Sequence, residues 1–323
     1  MARKRYSINK NKSELWKADV QKSVLYYNDW FLNFAPETYI NARKDAINKV
    51  ESAFQKTECF NSISIDMLKN APESITILRL STTPPLARDR LVGLANISKN
   101  LIEKMEEGRF PPKMKQQEID DSLGRIIDII NRLLDADIMP WLERKSYPHE
   151  LDRLLATQVI GDRVCGSLSD PIIRNEQERR QLSNISSYLN SKGYTFVESK
   201  DISDFDEMNC GTYSYHLNVP AKKRDGSSVN MPIDVVIKRM DANDDELPVL
   251  IECKSAGDFT NTNKRRKEEA TKVEQLRLKY GNMVEFVLFL CGYFDSGYLG
   301  FEASEGIDWI WEHRVEDFRK LGI

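Results

Sequence analysis

The sequence predicts an α/β protein, a sheet flanked by helices, preceded by an all-helical N-terminal domain. Two observations carry this reading. Up to about residue 165, apolar side chains recur at the three- and four-residue spacing of amphipathic helices. From about Asp170, short apolar runs of strand length take turns with helical stretches, the pattern of a sheet covered by helices. A chain of 323 residues is long enough for both parts. The division falls at 1–165 for the helical domain and 166–323 for the second.

In the first part, W-F-L-N-F-A-P-E-T-Y-I-N-A-R-K-D-A-I-N-K-V-E-S-A-F reads as helix, with Pro36 placed as a helix start. A second helix puts Ile119, Leu123, Ile126, Ile127, Ile130 and Leu134 on one stripe. A third covers H-E-L-D-R-L-L-A-T-Q-V-I-G-D-R-V-C-G. Prolines 84, 85, 111, 112, 140 and 148 punctuate the segments. Between them, residues 86–108 suit two short helices joined near Ala95–Ser98, with Ser98 as cap and Lys99 and Asn100 in the next first turn. A DNA-reading helix-turn-helix has that outline. A plain helical hairpin has it too, and Glu103, Glu106 and Glu107 on the second helix oppose phosphate.

In the second part, a helix is expected from Pro171 at its start to Gly193 past its end. Thr195–Glu198 is a short strand. Two longer runs flank K-K-R-D-G-S-S as a hairpin, Pro248–Cys253 is a buried strand, Lys264–Tyr280 a helix, and V-E-F-V-L-F-L-C-G another buried strand. The C-terminal E-G-I-D-W-I-W-E-H and V-E-D-F-R-K-L are read as helical.

Composition narrows the function. Apolar content of 41% and charged content of 30% suit a globular chain, and no apolar run reaches membrane-spanning length. The basic N-terminus lacks the apolar stretch of a secretory signal, so a cytoplasmic protein is expected. Five scattered cysteines without C-x-x-C spacing read as reduced thiols. Three distant histidines argue against a histidine-based metal centre. With a net charge of −3, any polyanion binding must come from a local basic face.

The chemistry concentrates in 230–272. Asp234 sits within an apolar strand, and Glu252 and Lys254 sit within the next. Residues two apart on a strand share a face, so Glu252 and Lys254 project together, with Cys253 opposite. If the two strands pair, two carboxylates and an amine converge. Asp234, Glu252 and the Cys253 carbonyl then form a partial oxygen shell for Mg²⁺, which keeps its remaining positions for water and phosphate. Such an ion stabilises phosphate charge and acidifies a bound water. Lys254 is placed to orient that water or offset developing charge. Charged groups in apolar strands are costly unless they serve one another, which weighs against a chance D…E-x-K. A cation-rich helix follows at once. Lys264, Arg265, Arg266 and Lys267, with Asn261 and Asn263 before them, are candidate DNA contacts. Glu176 and Glu178 on the preceding helix are further candidate metal contacts.

These residues resemble the PD-(D/E)XK nuclease superfamily, with P-I-D for its first part and E-C-K for its second. Here Ile233 stands between Pro232 and Asp234, so the proline half of the signature adds nothing. More narrowly, T-T-P-P-L-A-R-D-R-L-V-G-L-A, L-S-D-P-I-I-R-N-E-Q-E-R-R-Q-L and E-C-K-S-A-G-D-F-T-N-T-N-K-R-R-K-E-E-A are similar to the XamI family of type II restriction endonucleases. The resemblance runs from about Trp30 to the last strand. It implies a restriction-endonuclease-like mixed sheet and Mg²⁺-dependent cleavage of double-stranded DNA at a short palindromic site, leaving 5′-phosphates. It further implies a homodimer, with a cognate DNA methyltransferase as functional partner but not as a stable complex. A structure-specific repair or junction nuclease with the same triad, and a non-catalytic helix-turn-helix regulator, are the alternatives.

Overall fold

The computed structural model describes residues 7–243, 246–260 and 262–323, the side chains of 262–265 excepted. The chain forms two compact units, one of Met1–Phe34 with Arg174–Ile323, the other of Ala35–Ile173. Residues 7–34 thus join the sheet-bearing unit, whereas the sequence division at 165/166 keeps them with the helical part.

The helical unit contains the end of α1 (Ser13–Lys56), then α2 (Ile65–Asn70), α3 (Ile75–Leu80), α4 (Arg88–Ala95), α5 (Lys99–Glu106), α6 (Gln116–Leu133), α7 (Trp141–Arg144) and the start of α8 (Glu150–Ser191). Its core is the stripe expected of α6. Leu123, Ile126 and Ile130 are fully buried among Phe54, Leu78, Leu101 and Trp141. Helices α4 and α5 form the foreseen pair, turned by Asn96 in the left-handed conformation. Ser98 takes the cap position with extended backbone, but its hydroxyl makes no capping hydrogen bond. The acids at the end of α5 have basic partners close by: Glu106 accepts from Arg79 of α3 and Arg88 of α4, and Glu107, just past the helix, from Lys104 and Arg109. Lys99 pairs with Asp89 at 3.2 Å, and Asn100 is exposed. This is how a structural hairpin uses its charges.

Pro36 and Pro171 do not start helices. Both lie inside long ones, α1 and α8, next to the points where the chain passes from one unit to the other. A proline inside a helix loses one hydrogen bond and crowds the preceding turn. Gly193 does end α8, at φ +85°.

The other unit holds a six-stranded mixed sheet in the order β1-β2-β3-β4-β5-β6. The strands are β1 (Thr195–Phe196), β2 (Thr212–Lys222), β3 (Ser228–Lys238), β4 (Val249–Ala256), β5 (Glu285–Gly292) and β6 (Asp308–Trp311). β2–β3–β4 are antiparallel, while β1 pairs parallel to β2, and β4–β5–β6 are parallel. The crossovers are α9 (Thr262–Tyr280) and α10 (Ser296–Ser304). Leu250, Leu288, Leu290, Trp309 and Trp311 pack on Val273, Leu276, Tyr298 and Leu299 of these helices. Val249, Ile251, Val287, Phe289 and Ile310 form the other face, against Ile185 and Leu189 of α8 and Phe318.

One correction concerns the C-terminus: D-W-I-W is a strand, while the run after it is helical as expected, of the 3₁₀ kind, from Glu312 to Leu321. All four residues of β6 are buried, so no alternation marks them as strand, and their neighbour β5 supplies the ladder. Helix α10 is an additional element. Its Glu302 is fully buried, and burial first, then the Glu269 charge, pushes its carboxyl up to about 8. A raised acid favours the folded state while it stays neutral, and that stability drains away as pH rises from the ordinary glutamate range to about 8. Glu302→Gln therefore flattens the fall of Tm between pH 6 and pH 9, a difference of about 2 kcal/mol after relaxation. Thermal scans across that range test it, and parallel Tm–pH curves would refute the assignment.

Candidate active site

Strand β3 pairs with β4 over three positions only, Val235–Ile237 against Ile251–Val249. Beyond Val235 and Ile251 the strands part, although β4 stays paired with β5 to Ala256. Asp234 and Glu252 are the first residues past the last pair, so they stand at the mouth of the fork. Asp234 Oδ2 accepts the Cys253 amide at 2.7 Å, which ties the two strands there.

On the other side of β3, the long hairpin exchanges its buried face at this level. Leu217, Val219, Met231 and Ile233 pack on the α9 side, but Tyr213, Val235 and Ile237 on the α8 side. His216 lies at the exchange, with φ +50°, a left-handed value that reverses the pleat and is uncommon for a residue other than glycine. In the hairpin register it faces Asp234.

Glu252 is 3% exposed. Its Oε1 accepts from Lys254 Nζ at 2.9 Å and also from Lys272 Nζ of α9. Lys254 Nζ lies 3.2 Å from Glu269 Oε1, again on α9. Burial works to lower the Lys254 pKa, but the charges of Glu252 and Glu269 more than reverse it, and the ammonium is held above its ordinary range. Lys254 is therefore a fixed cation and hydrogen-bond donor at neutral pH. Asp234 moves the opposite way. Burial, then the Glu252 charge, raises its carboxyl to about 6 against the opposing Cys253 N–H and the two lysines.

Helix α8 closes the site from the other face. Arg180 anchors it with a two-pronged contact to Glu312, both arms 2.9 Å, while stacking 4.4 Å from the Trp30 ring centroid. Gln181 donates to the Phe289 carbonyl at 3.0 Å. One turn earlier, Gln177 and Glu178 line a pocket of about 310 Å³ with Arg174, Asp234, Glu252 and Lys254. Close approach at the strand end needs Gly292, at φ +97°, where a Cβ would meet the Ala256 carbonyl oxygen at 2.1 Å.

The geometry sorts the sequence candidates. Asp234, Glu252, Cys253 and Lys254 come together, and Glu178 joins them from α8. Glu176 instead pairs with Arg179 at 2.5 Å. Arg266 leans over Phe301 of α10, its guanidinium 5.3 Å from the ring centroid, and Lys267 is exposed. Asn261 lies outside the described residues, as do the side chains of Asn263, Lys264 and Arg265. Sequence reasoning passed over His216, Gln181, Glu269 and Lys272. For Lys272, only its spacing of three from Glu269 on the same helix hints that both turn inward.

The residues present fit a divalent cation. Two carboxylates of like charge meet at the fork, and the buried Oε2 of Glu252 has no hydrogen-bond partner among the described residues. Carboxylate oxygens with a nearby backbone carbonyl are hard donors of the kind such an ion takes.

Two comparisons identify the class. The XamI restriction endonuclease family pattern matches residues 58–311. The type II restriction enzyme SalI of Streptomyces albus G is 48% identical over 317 residues, 98% of this chain and 99% of that protein. The protein is accordingly a restriction endonuclease, a site-specific nuclease with DNA as its substrate. The chain belongs to the XamI restriction endonuclease family. Among solved structures, protein VC1899 from Vibrio cholerae aligns over 84% of this chain and 55% of its own length, at 10% identity. Its TM-score of 0.27 carries no argument. No helix among the described residues is long and apolar enough to cross a membrane.

Proposed function

We propose that the protein hydrolyses phosphodiester bonds of double-stranded DNA with Mg²⁺, at a short palindromic site, leaving 5′-phosphates. The meeting of Asp234, Glu252 and Lys254 where β3 and β4 part carries this reading. Asp234, Glu252 and the Cys253 carbonyl would hold the ion, with Glu178 reaching in from α8. When bound, Mg²⁺ neutralises phosphate charge and makes water a better nucleophile near neutral pH.

The protein's own groups do the rest. Asp234 is oriented by the Cys253 N–H, and Glu252 by two ammonium groups. Lys254, kept protonated by Glu252 and Glu269, donates to a phosphate oxygen as charge builds there, an electrostatic contribution needing no proton transfer from the lysine. Asn261, Asn263, Lys264, Arg265, Arg266 and Lys267, around the start of α9, grip the DNA backbone. Residues 166–323, with the N-terminal stretch that joins their unit, form the catalytic domain, and the rest of 1–165 serves DNA binding or dimerisation. Two copies related by a two-fold axis match a two-fold symmetric site, each cutting one strand. The enzyme works in the cytoplasm, where a cognate methyltransferase protects the same sequence without forming a stable complex.

Incubation with plasmid and Mg²⁺ tests the whole reading. The expected products are discrete fragments with one junction sequence by run-off sequencing, ligatable without a kinase. A smear, or cutting undiminished in excess EDTA, would sink it.

A further inference from the structure

Besides the oxygen donors at the fork, the site holds one nitrogen donor. His216 faces Asp234 across the hairpin and Glu178 across the pocket mouth. Its Nε2 is 3.5 Å from Glu178 Oε1, and one ligand atom from each of Glu178, His216 and Asp234 lies within 4.8 Å of the other two. Transition ions hold nitrogen and oxygen ligands at about 2.0–2.2 Å, so opposite ligands stand about 4.2 Å apart. Glu178 and His216 are exposed, so small side-chain rotations close the difference without moving the backbone. The pocket that Glu178 and Asp234 line also lacks positive charge at one point: Glu252, 3% exposed, lines it too and carries the unpartnered Oε2.

We propose that Glu178, His216 and Asp234 form a second divalent-cation position, one that prefers transition ions over Mg²⁺. It rests on the function proposed above through the two carboxylates it shares with the fork, Asp234 and Glu178. The reason for the preference is the imidazole. Nitrogen ligands raise affinity along the series from Mn²⁺ to Cu²⁺ and suit Zn²⁺ and Co²⁺, whereas Mg²⁺ and Ca²⁺ seek oxygen. Asp234, Glu252 and the Cys253 carbonyl offer oxygen alone. The pocket therefore presents two kinds of donor set side by side, joined at Asp234. Ions such as Zn²⁺ gather at the His216 side, and the hard ion has the fork.

The test is a Co²⁺ titration of the full-length protein, read by calorimetry and by the visible absorption of the bound ion, with Ca²⁺ in parallel. His216→Gly removes the imidazole and is at ease with the positive φ. It raises the Co²⁺ Kd by at least about tenfold and alters the visible band, as loss of a ligating group does. The Ca²⁺ Kd stays within about threefold, since Ca²⁺ seeks oxygen ligands. His216→Asn, which also tolerates the backbone, weakens Co²⁺ in the same direction and guards against a folding defect. Wild-type Co²⁺ affinity and spectrum in either variant overturns the proposal. Glu252→Gln separates the two readings. It keeps the His216-dependent Co²⁺ binding whether or not it cuts DNA, and loss of that binding as large as in His216→Gly would rule out a separate position.

Discussion

Asp234→Asn, Glu252→Gln and Lys254→Met each lower the cleavage rate by about a hundred- to a thousandfold, the scale of removing one preorganised electrostatic group from an active site. The expectation rests on how few alternatives the fork offers. Asp234 is fixed by a single strong contact from the Cys253 amide, and its partner carboxylate by Lys254 and Lys272. Each substitution keeps side-chain volume roughly constant and removes one charge. Pairwise combinations lose little more than the worst single variant, because groups acting as a unit are not additive. Lys254→Met also takes the ion-pair partner from buried Glu269, so thermal unfolding is followed for every variant. Any of the three cutting at near wild-type rate would dismiss that residue from the mechanism.

What the sequence made legible was local. The hairpin of β2 and β3 announces itself through apolar runs around a turn, two-residue periodicity puts Glu252 and Lys254 on one face, and the pairing of β3 with β4 brings Asp234 beside them. Helix α6 shows its buried stripe directly. Features depending on distant partners stayed hidden. Nothing near Glu178 distinguishes it from Glu176; α8 must be seated by Arg180 on Glu312 before one faces the pocket and the other Arg179. His216 shows no local sign of a left-handed backbone, and its company of two carboxylates comes from two other elements. Strand β6 lacks alternation because it is buried throughout, so a short apolar run passes for helix. Pro36 and Pro171 sit inside long helices, where the preference of proline for a helix start points the other way.

The fork should also show that it is built for function at the expense of stability. Asp234→Asn raises the Tm of the metal-free protein at pH 7.5 by about 2–6 °C, or 1–2 kcal/mol. Its carboxyl is raised to about 6 by burial and by Glu252. A raised acid stabilises the folded state fully only below the unfolded-state value near 3.8, and that stability is lost as pH climbs to about 6. Above pH 6 the folded protein carries an ionised carboxylate it disfavours; asparagine carries none, yet its side-chain oxygen still accepts the Cys253 N–H. The shift of about two units sets an upper limit near 3 kcal/mol, reduced by solvent at the open mouth of the pocket. Two controls give the measurement its force. Below about pH 4 the difference in Tm vanishes, because both side chains are then neutral. Millimolar Ca²⁺ raises the wild-type Tm and leaves the variant nearly unmoved, because a ligand stabilises only the state that binds it. An Asp234→Asn protein less stable than wild type at pH 7.5, in well-folded form, would mean that the fork holds its two carboxylates at no cost, and the physical case for a cation there would fall with it.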